Sequence, residues 1–201
     1  MQANFQQLAE AIIDNGWYKR GHFKLSSGRE SDFYIDLRPC MLSTRYVHHI
    51  TGSLLDVLFP RIGLQSGDLL CGVITSGLFL TGAMLQRLTS HREVSAIYCR
   101  TEHRMHGVKR DIEGEFKEDQ PVVLIDDVAT SGKSLMKVVD ILRRNQLIVK
   151  AALVVVDREE GARELLKVAD VQLFSCLTVA DLDRVSADMV AKKAANEALG
   201  R

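Results

Sequence analysis

Hydrophobic residues recur at two different spacings along this chain, and each spacing predicts one kind of element. Between residues 5 and 13 they follow helical spacing, and Gly16 stands where a helix is well ended. Between 23 and 37, short apolar runs broken by Ser-Ser-Gly predict an extended hairpin or hood. Helical spacing returns between 47 and 58. The chain therefore opens with a helix, an extended segment and a second helix.

The rest of the chain alternates short apolar runs with helical segments. The runs lie at 69–74, 94–98, 122–125, 151–156 and 171–176, and the helical segments at 78–88, 134–144, 162–168 and 178–199. This alternation is typical of an α/β fold, in which a mostly parallel sheet is flanked by helices. We expect one domain over 1–201, with an N-terminal helix and hood over roughly 1–40, a core over roughly 44–176 and a helical tail over roughly 178–199.

Composition and charge narrow the class of protein. The 201 residues contain 26 Lys and Arg against 26 Asp and Glu, so the formal net charge is zero, and 46% of them are hydrophobic. Such a chain can bury a self-sufficient core. It lacks the basic surplus typical of proteins that coat nucleic acid or anionic membranes. We therefore expect no nucleic-acid partner and no membrane partner.

Three further features bear on compartment. The cysteines at 40, 71, 99 and 176 form no C-x-x-C pair and have no histidine at zinc-finger spacing, which favours reduced thiols over structural zinc. The N-terminus lacks the basic and apolar pattern of a secretory signal. The uncharged stretch 69–85 is interrupted by glycines and hydroxyls and is shorter than the ~20 apolar residues that span a bilayer. We expect a cytoplasmic protein.

Polar residues follow the apolar runs at the points where strands of a parallel sheet would end. They are Thr75-Ser76-Gly77, Arg100, Asp126-Asp127 and Asp157-Arg158. Because ligands bind beyond the carboxyl ends of such strands, these residues are the candidates for a binding site.

The most informative segment, 122–134, predicts a strand that ends in Asp126 and Asp127 and passes through a hydroxyl-rich turn into a helix. Backbone N–H groups at such a turn can hold a phosphate, and glycine allows close approach. The two acids would repel a phosphate, so we expect them to face ribose hydroxyls, with a magnesium ion as a further candidate. The turn consists of Ala129, Thr130, Ser131, Gly132, Lys133 and Ser134.

Segment 122–134 does not match the other common phosphate-binding patterns. The nucleotide-binding pattern G-x-x-x-x-G-K-[ST] requires glycine where Asp127 stands, and no G-x-G-x-x-G occurs. Acids that only cap the following helix remain an alternative.

Segment 122–134 resembles the phosphoribosyl pyrophosphate signature of the type I phosphoribosyltransferases. Further stretches make the sequence most similar to the orotate phosphoribosyltransferases within that family; they lie at 25–36, 72–77, 100–114 and 157–161. The resemblance implies a mostly parallel sheet flanked by helices, with an N-terminal hood. It also implies transfer of phosphoribose from phosphoribosyl pyrophosphate to orotate, giving orotidine 5-monophosphate, in a homodimer with shared active sites. Magnesium would be carried by the pyrophosphate, with no direct protein ligand.

The resemblance also implies a role for individual residues. Asp126 and Asp127 would bind the ribose diol, Arg100 and His106 the pyrophosphate, and Arg158 the base. Segment 102–114 would be a lid that carries Arg104 at the catalytic position. The other implied substrate-binding residues are Lys24, Ser26, Tyr34, Thr75 and Ser76, together with the turn 129–134.

Three positions depart from the family pattern, which has lysine where this chain has Ser26, Thr101 and Arg104. Arginine keeps the charge but is a poor proton donor because its pKa is very high. Lys24 would share a strand face with Ser26 and is a candidate substitute. Two alternatives therefore stay open: an enzyme of the same fold that uses another base, and a non-catalytic regulator that senses phosphoribosyl pyrophosphate.

Overall fold

The computed structural model describes residues 3–24, 28, 30–88, 93–100 and 111–198. In chain order the elements are α1 (Ala3–Asp14), β1 (Tyr18–Lys24), β2 (Glu30–Ile35), α2 (Arg38–Met41), α3 (Thr44–Val57), β3 (Leu69–Gly72), α4 (Ser76–Leu88), β4 (Ser95–Cys99), β5 (Ile112–Glu113), β6 (Pro121–Ala129), α5 (Lys133–Arg144), β7 (Ile148–Asp157), α6 (Ala162–Val168), β8 (Gln172–Thr178) and α7 (Val179–Ala198). A π-helical turn, Leu58–Ile62, follows α3. No helix in these ranges is both long enough and apolar enough to span a bilayer.

The described strands form a six-stranded sheet in the order β5-β4-β3-β6-β7-β8. Every neighbouring pair is parallel except β4 with β5, so the predicted mostly parallel sheet is confirmed. After β3 the chain moves to one side of the sheet, and it returns to β3's other side with β6. This reversal opens a crevice at the carboxyl ends of β3 and β6, where ligands bind in folds of this kind.

The sheet is covered on both faces because its central strands are apolar on both sides. On β6, Val123 and Ile125 enter the cluster formed with α1, α3, α4 and α7. Val122 and Leu124 point the other way, into the cluster formed with α5 and α6. The period-2 alternation of a strand produces this division. The predicted α/β architecture is therefore confirmed.

The predicted extended segment is an antiparallel pair, β1 with β2. It begins earlier than the apolar pattern suggested, at Tyr18, whose ring packs 5.9 Å from that of Phe33. Both rings are buried in the cluster that contains α7. The hairpin is therefore attached to the body of the protein on the side of the C-terminal helix.

Strand β6 is longer than its apolar run. The apolar run ends at Ile125 and the sequence predicts a strand that ends in Asp126 and Asp127, whereas the strand continues past both acids to Ala129. The reason is that β7 continues beside it, with Asp126 opposite Val154 and Ala129 opposite Asp157. Backbone pairing with a buried neighbour thus extends a strand beyond the point where its own side chains stop being apolar.

One buried hydroxyl provides a test of the packing. Ser53 on α3 is fully buried, and its hydroxyl has no hydrogen-bond partner among the described residues. We expect Ser53→Ala to raise the free energy of unfolding by roughly 0.5–1 kcal/mol, because it removes an unpaired polar atom and introduces a better helix former. Urea denaturation measures the change.

The matched control is Thr51→Val on the same helix. It removes a buried hydroxyl that does have a partner, the carbonyl of Val47 at 2.8 Å. We expect no gain in stability from this variant. A loss of stability in Ser53→Ala would show that the Ser53 hydroxyl is paired after all.

Candidate functional site

The two acids of β6 lie in the crevice between β3 and β6. The Asp126 carboxylate accepts the N–H of Asp127 at 2.9 Å. The backbone N–H of Gly77, which donates to the carbonyl of Val73 at 2.9 Å, lies close enough to Asp126 to lower its pKa, and the hydroxyl of Ser76 does the same for Asp127. Burial raises the pKa of Asp126 well above its usual range, and the neighbouring charge of Asp127 raises it further. Buried carboxylate oxygens of this kind are strong acceptors for the two O–H donors of a diol.

Gly77 allows this arrangement. A Cβ atom there would lie 2.0 Å from the carbonyl oxygen of Ile125, so any side chain would push the start of α4 away from β6. Ser76 directly precedes it, and Thr75 is exposed at the mouth of the crevice. The loop after β3 and the acids after Ile125 therefore form one surface.

The predicted phosphate turn surrounds a cavity. The cavity holds about 80 Å³, enough for one phosphate group, and is lined by Asp126, Val128, Ala129, Thr130, Ser131, Gly132, Lys133, Ser134 and Leu135. Gly132 has φ 76°, and a Cβ atom there would lie 3.0 Å from the Cα of Ala162. The N–H groups at the start of α5 have no intrahelical partner and carry the positive end of the helix dipole, which suits an anion.

Arg158, at the end of β7, is a buried cation next to this turn. The backbone N–H of Arg158 donates to the carbonyl of Ala129 at 2.9 Å. Its guanidinium is 6% exposed and lies 2.7 Å from a carboxylate oxygen of Glu160. It also donates to the hydroxyl of Ser31 at 3.1 Å and stacks 4.3 Å from the ring centre of Phe33. The planar guanidinium can bind a carboxylate or carbonyl of a ligand through paired hydrogen bonds.

Arg100 lies at the carboxyl end of β4, on the same edge of the sheet. It donates from Nε to Glu113 at 2.8 Å, and its backbone N–H donates to the carbonyl of Asp111 at 2.9 Å. Since β4 neighbours β3, this cation and the Thr75–Ser76 loop flank the same end of the sheet. Their positions agree with an extended anionic ligand along that edge.

Two of the predicted substrate-binding residues lie away from Arg158. Lys24 is exposed at the end of β1, opposite Glu30. Tyr34 follows Phe33 on β2 and therefore points to the opposite face, where its hydroxyl lies 3.2 Å from Asp36. Ser26, Arg104 and His106, like Thr101, lie outside the described residues.

The sequence did not predict three residues that contact Arg158, namely Ser31, Phe33 and Glu160. Phe33 had a usable signal, because it is the apolar residue of a short alternating strand and therefore faces inward. Which buried group it would meet could not be read from the sequence, since Ser31 and Arg158 are 127 positions apart.

Comparisons with known proteins agree with this geometry. The family model of the phosphoribosyl transferase domain matches residues 63–187. The orotate phosphoribosyltransferase of Methanopyrus kandleri is 35% identical over 182 residues, which are 90% of this chain and 93% of that protein. That of Aeropyrum pernix is 38% identical, over 86% of this chain and 89% of that protein. A crystal structure of orotate phosphoribosyltransferase from Aeropyrum pernix has a TM-score of 0.71 at 35% identity, covering 87% of this chain and 96% of that chain.

The raised pKa of Asp126 predicts a stability difference that depends on pH. We expect Asp126→Asn to raise the melting temperature at pH 7 by roughly 2–4 °C, the shift that about 1 kcal/mol gives in a chain of this size. The folded pKa lies above the unfolded value. The native state therefore binds this proton more tightly, and that stability is lost as pH rises above about 4. Asparagine resembles the protonated acid, so the gain should vanish near pH 4.

Melting curves between pH 4 and pH 8 measure this difference. Asp140→Asn is the control, because Asp140 is an exposed acid on α5 and its replacement should not change the pH dependence. A variant of Asp126 that is less stable than wild type at pH 7 would contradict the assignment of Asp126 as a buried, destabilising charge.

Proposed function

This chain belongs to the phosphoribosyltransferase family, among the orotate phosphoribosyltransferases, and we propose that it transfers phosphoribose from phosphoribosyl pyrophosphate to a ring nitrogen of orotate. It is a pentosyltransferase. The products would be orotidine 5-monophosphate and pyrophosphate. The observation that supports the proposal best is that an acid pair, a phosphate-sized turn and a buried arginine lie at the carboxyl ends of two neighbouring strands, β6 and β7.

Each part of phosphoribosyl pyrophosphate has a matching group in the crevice. We assign the 5-phosphate to the turn 129–134, whose cavity Asp126 also lines. We assign the ribose diol to Asp126 and Asp127. The pyrophosphate would then extend along the sheet edge toward Thr75, Ser76 and Arg100, and the base toward Arg158.

In the proposed reaction, the bond between the anomeric carbon and a pyrophosphate oxygen breaks, a ring nitrogen of the base bonds to the same carbon, and the proton of that nitrogen passes to the pyrophosphate or to water. Positive charge develops on the sugar and negative charge on the departing pyrophosphate. The acid pair stabilises the sugar charge, and Arg100 stabilises the leaving group. Preorganised charge and positioning supply the catalysis, without a covalent intermediate on the protein. By the resemblance described above, Arg104 and His106 would add positive charge at the pyrophosphate.

The described residues fit a magnesium ion carried by the substrate. They contain no group of three side chains able to hold a metal, but Asp126 and Asp127 present two carboxylates beside the site assigned to the diol. Mg²⁺ is usually bound through one or two carboxylates together with substrate phosphates. When bound, it would neutralise charge on the pyrophosphate.

We also propose that the protein is a homodimer. Exposed large hydrophobic side chains occur after α2 and around the start of α4, two helices that contact each other. They are Leu42, Ile74, Leu78 and Phe79. Exposed apolar residues concentrated in one region mark an interaction surface more often than scattered ones do. This surface adjoins the Thr75–Ser76 loop, so a second subunit there would lie close to the pyrophosphate end of the site.

A cytosolic location is part of the same proposal. It rests on the sequence, whose cysteines form no C-x-x-C pair and favour reduced thiols.

The activity test measures pyrophosphate release from phosphoribosyl pyrophosphate and magnesium with a panel of bases. We expect release with orotate and not with uracil, adenine or hypoxanthine. Arg158→Gln should raise the KM for orotate on the order of 10–100-fold, because it removes a charged, planar partner of the base. Arg144→Gln, an exposed arginine at the end of α5, is the control and should leave KM unchanged.

The same panel separates the alternatives left open by Ser26, Thr101 and Arg104. Release with a different base alone would replace orotate as the substrate. Binding of phosphoribosyl pyrophosphate without release, whatever the base, would favour a regulator.

The dimer is tested with Phe79→Glu. Placing a charge in an apolar interface leaves it without a partner, so we expect the variant to sediment as a monomer while the wild type sediments as a dimer. Lys137→Glu, on the exposed surface of α5, is the control. A wild type that sediments as a monomer at micromolar concentration would overturn this part of the proposal.

A further inference from the structure

The C-terminal helix α7 is joined to the β1–β2 hairpin by one carboxylate. Asp183 accepts the Tyr18 hydroxyl at 2.6 Å and the Nε of Arg20 at 2.8 Å. The second carboxylate oxygen of Asp183 accepts a hydrogen bond from Nη2 of Arg20, so the guanidinium binds this carboxylate in a bidentate manner. Asp32, on the hairpin itself, accepts the remaining Nη1 at 2.7 Å.

The two residues that Asp183 holds both contact Phe33. The ring of Tyr18 lies 5.9 Å from that of Phe33, and the guanidinium of Arg20 lies 5.3 Å from its centre. Phe33 is 7% exposed and in turn supports the guanidinium of Arg158 at 4.3 Å. A continuous series of contacts therefore runs from α7 through the hairpin to the arginine assigned to the base.

The protonation states keep these contacts intact at neutral pH. Hydrogen bonds from Arg20 hold the pKa of Asp183 below its usual range, so it is charged. Burial and the hydrogen bond to Asp183 raise the pKa of the Tyr18 hydroxyl, so it remains a donor.

We propose that Asp183 is a positioning residue for the base: through Tyr18, Arg20 and Phe33 it holds the guanidinium of Arg158 in the orientation that binds orotate. This inference rests on the proposed function. It gives α7, which contributes no side chain to the crevice among the described contacts, a role in substrate specificity. The contact series ends on the guanidinium of Arg158, whereas Arg158 meets the turn 129–134 only through its backbone N–H on Ala129, so the effect should fall on the base and not on the 5-phosphate.

The kinetic test compares Asp183→Ala with wild type. We expect the KM for orotate to rise on the order of tenfold, because a small misplacement of a group that binds by paired hydrogen bonds weakens both of them. The KM for phosphoribosyl pyrophosphate should stay unchanged and kcat should stay within about twofold. Asp183→Glu, which restores the carboxylate, should recover part of the loss. Tyr18→Phe keeps the ring and removes one hydrogen bond, and it should show a smaller rise in the same constant.

The control is Asp188→Ala, an exposed acid one turn further along α7. It removes the same charge from the same helix and should leave both KM values unchanged. An unchanged KM for orotate in Asp183→Ala, or an equal rise in both KM values, would overturn the proposal. If Asp183→Ala does not fold, Tyr18→Phe supplies the same two outcomes.

A second measurement does not depend on turnover. The Nε–H of Arg158 is buried and donates to Glu160 at 2.8 Å, so it should give a slowly exchanging NMR signal, assigned by its loss in Arg158→Lys. Asp183→Ala should broaden this signal or speed its exchange with water, and Asp188→Ala should not. An unchanged signal would reject the positioning role even if orotate proves to be the substrate. If the signal changes but the protein does not use orotate, the assignment of orotate as the substrate is wrong, whereas the role of Asp183 in positioning Arg158 is retained.

Discussion

The site depends on the close approach between the start of α4 and β6. At Gly77 the two backbones are so near that a Cβ atom would lie 2.0 Å from the carbonyl oxygen of Ile125. A side chain there would move α4 outward and take Ser76 and the Gly77 N–H away from the two acids. The adjoining strand shows the same constraint, since a Cβ atom at Gly72 would lie 2.7 Å from the backbone of Leu78. Glycine at both positions allows a loop, a strand and a helix to meet at one point.

The charged acid pair lowers the stability of the folded protein. Burial raises the pKa of Asp126, which means that the charged carboxylate is less stable in the folded protein than in water. The hydrogen bond from the N–H of Asp127 offsets only part of this. In the proposed function, a diol that donates two O–H groups to these carboxylates would stabilise their charged form. Active sites often carry such local destabilisation because the surrounding core is stable enough to tolerate it.

The base end of the crevice is built differently, from groups that already satisfy one another. Arg158 is held by Glu160, Ser31 and Phe33, and the hairpin that supplies two of these is held by α7. Its orientation is therefore set before any ligand arrives, which lowers the ordering cost of binding. The turn 129–134 instead presents backbone N–H groups from one local segment. The two parts of the proposed site are thus formed by different parts of the chain.

The alternation of strands and helices, the turn 129–134 and the acid pair could be read from the sequence alone, because each of them lies in consecutive residues. The α/β class follows from periodicity, and the turn 129–134 follows from a glycine and hydroxyls between a strand and a helix. Three features emerge only from the folded chain: β6 continues to Ala129, Phe33 and not Tyr34 packs on Arg158, and Asp183 holds the hairpin. Those features depend on pairs as far apart as Tyr18 and Asp183, which are separated by 165 positions. Local patterns specify which face of an element is buried, but the partner it meets is chosen by the packing of the whole chain.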